Sequence, residues 1–391
     1  MNKKIKIAHI ITRLIVGGAQ ENTIFTVEGL SKKGYDVTLI SGPGLGPEGS
    51  LAEKVKRKGI KLIIIPELRR EINPFLDTIA FIKLYLLIKR ERYSIVHTHS
   101  SKAGILGRIA AKLAHWQTTI IHTIHGLPFH PYQNKFLNFI YVNLERFCSL
   151  FTNKIICVGR VMKEKTLSAY IGKEKKFIVI YSGFAVEKYT DPQIEPLRER
   201  KKYGLKDNDL VIGKIGRLFP LKGQEYLLKV LPEIKEKFPR IKLIFVGEGI
   251  LHKTLEEMAE NLGIRNTVIF TGLLPAGEIP KVISTFDLLC HTSLREGLPK
   301  TVAQGLAAGK PVVAFDVDGT KEVIINGKTG YLVPAKDTKK LASTILKALS
   351  NKDKSISMAR EGQRLIKKLF PIEMMVNSIE KVYNNIIDVK H

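Results

Sequence analysis

The strongest constraint in this 391-residue chain is an alternation that occurs twice: short β-branched runs, each followed by a longer amphipathic stretch. In the first half, strands are predicted at 5–11, 36–41, 61–65, 95–99, 118–125 and 154–158. Helices are predicted at 18–33, 51–58, 74–92, 101–115 and 134–150. The strand runs are apolar almost throughout, rather than at every second residue, so both of their faces must be covered. Such strands joined by helices form a parallel sheet, and right-handed crossovers wind it into a doubly wound, Rossmann-like α/β unit. A second series has strands at 210–215, 242–246, 268–271, 288–291, 311–315 and 331–333. The expected organisation is an N-terminal domain over 1–188 and a C-terminal domain over 189–369. A last helix within 370–391, set off by Phe370-Pro371, is expected to pack back on the first domain. The polar segment 190–202, with two prolines, reads as a linker.

Hydrophobic residues make up 44% of the chain and charged residues 26%, which suits a packed core and argues against disorder. The basic start at 1–6 and the apolar run at 7–16 mimic a secretory leader. His9 and Arg13 interrupt that run, and Gly17-Gly18 then opens a helical pattern, so a strand and loop are expected instead. No apolar stretch reaches the roughly 18 residues of a membrane span. Cys148, Cys157 and Cys290 show no Cys-x-x-Cys spacing, which suits a reduced, cytoplasmic setting and argues against a disulfide framework or zinc knuckle. The net charge is +26, of which the first 185 residues carry +17. Such a balance suits anionic partners, a membrane surface or a phosphorylated substrate, with plain solubility as the bland alternative. No nucleic-acid module is recognisable, and no nucleic-acid partner is expected.

In open parallel sheets, ligands sit beyond the carboxyl ends of the strands. Two such domains are expected to face each other across a cleft. The residues that follow strands are therefore the candidates. Gly17-Gly18-Ala19-Gln20 follows the first strand, and its small residues would let backbone N–H groups approach a phosphate or sugar. A tight strand-to-helix turn explains it as well. Gly216-Arg217-Leu218-Phe219-Pro220-Leu221-Lys222-Gly223 puts two cations five residues apart around a glycine-bounded turn. Arg grips phosphate bidentately and Lys acts as a mobile point charge, and both can neutralise a diphosphate leaving group. Two solvated surface cations are the alternative.

Leu294-Arg295-Glu296-Gly297-Leu298-Pro299-Lys300-Thr301-Val302-Ala303-Gln304-Gly305 follows the strand ending at His291. Pro299 suits a first helical turn, and the N–H groups around Lys300–Val302 would form an anion nest. Glu296 is placed to accept bonds from sugar hydroxyls, or simply to complement the helix dipole. Gln304, about one turn on, could reach ribose hydroxyls. His125 follows a strand and precedes Gly126, suited to a sugar hydroxyl, a phosphate or a proton, or to a structural role. His122 and His125 point to opposite faces of their strand, so no metal site is predicted. Asp316-Val317-Asp318 has the look of a metal-binding Asp-x-Asp, but it runs from a strand into a helix, so Asp318 reads as a cap. Residues 75–92 are apolar around nearly the whole helix, which suits a buried crossover or a membrane-facing side.

The segments at 216–223 and 296–304, with Val246-Gly247-Glu248-Gly249 between them, resemble family 4 of the retaining glycosyltransferases, which have the two-domain GT-B fold. Further matches are Gly17–Gln20, His97-Thr98-His99-Ser100-Ser101-Lys102-Ala103-Gly104, Thr123-Ile124-His125-Gly126, and the run at 327–334, over about 320 residues in the family's order. The resemblance implies transfer of a sugar from a nucleotide-diphosphate-sugar to a saccharide or polyprenyl-linked acceptor in cell-surface polysaccharide synthesis. It implies no cofactor or metal, and a place at the inner face of the cell membrane. By motif position it implies that Arg217 and Lys222 bind the diphosphate, that Glu296 contacts the transferred sugar and that His125 sits at the reacting centre. Gly17, Gly18, Gly216, Glu248, Gly272, Gly297, Leu298, Pro299, Lys300, Thr301 and Gln304 would complete the donor site. His99, Lys102 and His125 would meet the acceptor.

Two departures stand out. Gln304 replaces a Glu usual eight positions after the first, which keeps an acceptor oxygen but loses a charge. Ser182-Gly183-Phe184-Ala185 stands where an Asn-Gly turn with an Asp is common. A nucleotide-sugar epimerase of the same fold, or a non-catalytic nucleotide-sugar binder, remain as alternatives. A nicotinamide dehydrogenase would need a G-x-G-x-x-G fingerprint, which the chain lacks.

Overall fold

The computed structural model describes residues 4–45 and 49–388. Its elements fall into two compact units, residues 1–184 with 372–391, and residues 185–371.

Unit 1 is built on seven parallel strands. They are β1 (Lys6–Ile11), β2 (Asp36–Ser41), β3 (Lys61–Ile64), β4 (Ile95–His99), β5 (Thr119–Ile124), β6 (Lys154–Cys157) and β7 (Phe177–Val179). Their order across the sheet is β3-β2-β1-β4-β5-β6-β7. The crossovers are α1 (Gly18–Lys32), α2 (Ala52–Arg57), α3 (Pro74–Glu91), α4 (Ser101–Ala114), α5 (Lys135–Phe151) and α6 (Arg160–Ser168). The run once comparable to a leader is β1, paired on one side with β2 and on the other with β4. Local chemistry marks the helix ends. Asn73 Oδ1 accepts from the Leu76 N–H at 3.1 Å, Pro74 opens α3, and Arg92 closes it in the left-handed region.

Unit 2 has six parallel strands: β8 (Leu210–Ile215), β9 (Ile241–Val246), β10 (Val268–Phe270), β11 (Leu288–His291), β12 (Val312–Phe315) and β13 (Tyr331–Val333). Their order, β10-β9-β8-β11-β12-β13, repeats that of the first six strands of unit 1. Its helices are α7 (Pro196–Lys202), α8 (Gln224–Lys237), α9 (His252–Asn261), α10 (Ile279–Ser284), α11 (Lys300–Ala307), α12 (Thr320–Val323), α13 (Thr338–Ser350) and α14 (Lys352–Leu369). In each sheet the chain reverses direction between its first and fourth strands, β1/β4 and β8/β11. Loops diverge there and leave a crevice at the carboxyl edge.

The last helix, α15 (Ile372–Asp388), begins after the break at Phe370-Pro371 and belongs to unit 1. Met375, Val376, Ile379, Val382 and Tyr383 join the core formed by Ile7, Ile24, Val27 and Leu39. Gly29 makes this approach close: a Cβ there would stand 2.6 Å from Val376 Cγ2. Three sequence-level expectations shift. The division falls at 184/185 rather than 188/189, because Val186–Tyr189 forms a 3-10 turn that packs on α10 and α11. The segment read as a linker contains α7, whose Arg200 is buried and reaches Asp287 at 2.8 Å. The sequence reading also passed over α6 and β7, which are short and carry little periodicity.

Arg108 on α4 and Glu145 on α5 form a buried ion pair at 2.7 Å, with side chains 0% and 5% exposed. Removing one partner strands the other charge, at a cost of about 3–5 kcal/mol. Glu145→Ala should therefore lower the unfolding free energy of unit 1 by that much, read as a lower denaturant midpoint, and limited proteolysis should cut unit 1 before unit 2. An unchanged midpoint would show that Arg108 finds water.

Candidate functional site

At the carboxyl edge of unit 2, the β8/β11 switch point gathers the predicted donor residues. Gly223 shapes the loop after β8: its φ is +71°, and a Cβ there would stand 1.9 Å from the Thr292 carbonyl oxygen. Only glycine allows that contact. It brings Lys222 beside the loop that follows β11, where Lys222 Nζ meets Glu296 Oε1 at 2.7 Å. His291 Nε2 stands 3.2 Å from the same oxygen, close enough for charge to act but off the line of a hydrogen bond. Its Nδ1 lies 3.1 Å from Thr301 Oγ1. The Glu296 backbone N–H donates to Asp318 Oδ2 at 2.7 Å. Asp318 thus pins the Glu296 loop from the end of β12 and gives α12 no side-chain cap, which corrects the expectation that it serves as one.

The electrostatics follow from burial. The Glu296 side chain is 14% exposed. Burial alone would raise its carboxyl, yet the Lys222 ammonium and the His291 imidazole outweigh it and hold it well below the usual carboxylate range. Burial also lowers His291, against the opposing pull of Glu296. Behind them on β8 lies Lys214, 1% exposed, which burial and the Lys222 charge bring down to about 7. The sequence reading passed over Lys214 and His291. The signal available was a cation, and then a histidine, inside an otherwise apolar strand.

Other donor candidates gather around this point. Arg217 lies over the Phe219 ring with its guanidinium 5.1 Å from the centroid, and its carbonyl accepts from Gln224 Nε2 at 2.9 Å. Gly216 follows β8 directly, and the Gly247 N–H donates to the Gly272 carbonyl at 3.0 Å. Glu248 is spent on His252 Nδ1 at 2.8 Å and on the Gly249 N–H. Gly297 and Leu298 lead into Pro299, which is the N-cap of α11 rather than its first helical residue. Lys300 and Thr301 form the first turn, and Gln304 is buried on the next.

In unit 1, Gly17 is the N-cap of α1 and Gly18 its first residue. A Cβ on Gly18 would meet nothing within 4 Å, so close approach within the chain does not require that glycine. His125 follows β5 and is partly exposed. Its Nε2 meets His99 Nδ1 at 3.0 Å, and His99 Nε2 meets His9 Nδ1 at 2.9 Å. His9 Nε2 meets the Tyr383 hydroxyl at 3.2 Å; that hydroxyl also meets His97 Nδ1 at 2.5 Å. His97 Nε2 ends the line on Thr123 Oγ1 at 2.7 Å. Burial lowers His125 to about 4 and His9 to about 3. Burial, joined by repulsion from neighbouring imidazoles, takes His97 and His99 well below 6.5. All four are therefore neutral near pH 7.

One acceptor expectation is corrected here, and a second acceptor candidate is held by partners within the chain. His99 is 1% exposed with both ring nitrogens bonded, so it holds His125 rather than meeting an acceptor. Lys102 is tied to Asp77 at 2.6 Å and to the Glu71 carbonyl. His122 faces away, its Nδ1 2.9 Å from Thr98 Oγ1. His9, His97 and His99 bring ring nitrogens within 4.8 Å of one another, as a metal site would. All six of their nitrogens already lie in the line of hydrogen bonds, so a metal would have to break it.

Lys222→Met should expose what holds Glu296 ionised. A carboxyl depressed in the folded state stabilises the fold above its unfolded value, and that gain is lost as pH falls through the folded value. Without Lys222 the folded value rises toward the unfolded one, so the variant loses melting temperature at neutral pH and its further fall on acidification should be smaller than that of the parent protein. Scanning calorimetry over about pH 2 to 7 reads this directly, and superimposable profiles would show that Lys222 plays no part.

Comparison with known proteins agrees with this architecture. Residues 16–188 match the family described as Glycosyltransferase Family 4, and residues 197–365 match Glycosyl transferases group 1. The chain is 28% identical over 389 residues to the UDP-Gal:alpha-D-GlcNAc-diphosphoundecaprenol alpha-1,3-galactosyltransferase of Escherichia coli, covering 99% of this chain and 98% of that one. It is 24% identical to the capsular polysaccharide biosynthesis glycosyltransferase CapM of Staphylococcus aureus, covering 92% and 93%. Among solved structures it is similar to Anabaena HepE in complex with UDP and glucose, with a TM-score of 0.84, 22% identity, and 97% and 100% of the two chains covered. Two parallel α/β units in this order, carrying these motifs along their carboxyl edges, make the chain a glycosyltransferase of family 4 with a GT-B fold.

Proposed function

We propose that this enzyme moves a sugar, with retention and without a metal, from a nucleotide-diphosphate-sugar to a saccharide or polyprenyl-linked acceptor in cell-surface polysaccharide synthesis. The observation that carries the reading is the Lys222–Glu296 pair, held by Asp318 at the mouth of the β8/β11 crevice. Unit 2 takes the donor. Arg217, Lys222 and the N–H groups that open α11 neutralise the diphosphate as the sugar–oxygen bond breaks. Charge stabilised only as it develops lowers the barrier rather than merely tightening binding. Glu296, kept ionised, accepts from hydroxyls of the transferred sugar. Gln304 offers one acceptor oxygen to the ribose. Unit 1 takes the acceptor beside His125. The acceptor hydroxyl attacks from the face the diphosphate leaves, and its proton passes to the departing phosphate oxygen.

UDP-sugars are the first donors to test, because HepE was solved with UDP and glucose and the Escherichia coli relative is named for UDP-Gal. An epimerase would need carboxylates flanking the sugar as acid and base, and the one buried carboxylate among the named donor residues is already paired with Lys222. Arg217→Ala with Lys222→Ala should cut transfer by about 10²-fold or more with the circular dichroism spectrum unchanged. Retention is read from the anomeric signal of the product by NMR. Full activity in the double variant, or an inverted product, would end this reading.

The proposed place of action is the inner face of the cell membrane, held peripherally. Among the described residues no helix is long and apolar enough to cross a membrane. Phe136, Phe139, Phe147 and Leu150 are exposed along α5. Leu150 and Trp116 border a groove of about 1280 Å³ that Lys112, Lys154, Lys175 and Lys176 also line. Exposed aromatics beside cations suit an anionic bilayer surface. Phe136→Ser with Phe139→Ser should weaken co-sedimentation with anionic vesicles by about tenfold or more, leaving turnover on a soluble acceptor intact. Equal sedimentation of the variant would count against membrane contact through α5.

A further inference from the structure

The line of hydrogen bonds behind His125 has a property that its separate contacts do not. A neutral imidazole carries one N–H and one bare nitrogen, so each ring must donate on one side and accept on the other. Tyr383 is buried and kept protonated, its hydroxyl raised well above 10 chiefly by burial, so it too donates once. The whole line therefore runs in one of two directions. In the first, the Thr123 hydroxyl donates to His97, His97 Nδ1–H to the Tyr383 oxygen, and the Tyr383 hydroxyl to His9. His9 Nδ1–H then donates to His99 and His99 Nδ1–H to His125 Nε2, which leaves the proton of His125 on Nδ1. In the second direction every donor becomes an acceptor, and His125 Nδ1 is bare.

The two directions differ at their inner end. Thr123 is 3% exposed, and its hydroxyl contact with His97 is its one side-chain hydrogen bond among the described residues. In the first direction that hydroxyl donates and is satisfied. In the second it only accepts, and a buried O–H is left without an acceptor, which forfeits its full desolvation. At the outer end His125 is partly exposed, and water or substrate can serve Nδ1 in either state. We propose that Thr123, acting through His97, Tyr383, His9 and His99, fixes His125 as the Nδ1–H tautomer, so that His125 meets its substrate as a hydrogen-bond donor to an oxygen and not as a base. His9, His97, His99, Thr123 and Tyr383 are then positioning residues, and Tyr383 gives the C-terminal helix a part in the acceptor site. The substrate atom opposite His125 must be an acceptor: a hydroxyl lone pair or a phosphate oxygen. This rests on the reading of His125 as the residue beside the acceptor.

The test needs no turnover. In protein labelled with 15N-histidine, two-bond correlations from the ring carbons tell Nδ1–H from Nε2–H. The expected wild-type result is His125 protonated on Nδ1 in roughly tenfold or greater excess. Thr123→Ser keeps the hydroxyl and should keep this tautomer. Tyr383→Phe cuts the line, and the two directions then leave similar orphans at His9, so His125 should show both forms. A wild-type His125 protonated on Nε2, or a tautomer indifferent to Tyr383→Phe, would overturn the proposal. So would stoichiometric Zn2+ uptake that shifts His9, His97 and His99 together. If the tautomer is as stated and purified enzyme transfers no sugar, only the reading of the reaction falls.

Discussion

A parallel strand cannot be left half wet: its apolar residues face both ways, so helices must cover the sheet above and below. Both units obey this rule with the same strand order, and the rule has a second consequence. Every strand-to-helix turn comes out on one edge, and neighbouring turns diverge where the winding reverses. Gly17, His99 and His125 lie on that edge in unit 1; Gly216, Lys222 and Glu296 lie on it in unit 2. The candidate residues of both units stand on the edge where these turns gather.

Each unit then resolves a different problem of burial. In unit 2 the problem is charge. Glu296 is mostly buried yet ionised, because Lys222 and His291 outweigh its burial, while Asp318 holds its loop through the backbone. Lys214 carries the same tension further, a cation inside a strand with its titration brought near neutrality. In unit 1 the problem is hydrogen bonding without charge. Four imidazoles, a phenol and a hydroxyl satisfy one another in sequence, and only the outermost ring reaches solvent. One half stabilises a buried charge with its partners, and the other satisfies a buried line of neutral polar groups.

The sequence reading was closest where a local rule governed. β2, β4, β8, β11 and β13 occupy the predicted spans, because short β-branched and apolar runs bounded by turn residues leave little choice of boundary. The division near 188 moved by a few residues because a 3-10 turn has no sequence period to read. Asp318 illustrates the limit more sharply. Its position before a helix made a cap the natural expectation, but the backbone N–H it serves lies in another loop, 22 residues away. His99 was placed with the acceptor because it follows the motif, yet its ring is turned inward among other rings.

What the amino-acid order determined by itself was the class of fold, the repetition of it, and which turns would carry glycine, cation and carboxylate, since period, propensity and turn chemistry act over a few residues. What only the tertiary structure decided was pairing. Lys222 and Glu296 are 74 positions apart, and His97 and Tyr383 are 286 apart. No pattern in the chain announces such contacts, because they come into being when whole sheets and helices pack. Burial, which sets the charge of Glu296 and the neutrality of the histidines, does not exist until they do.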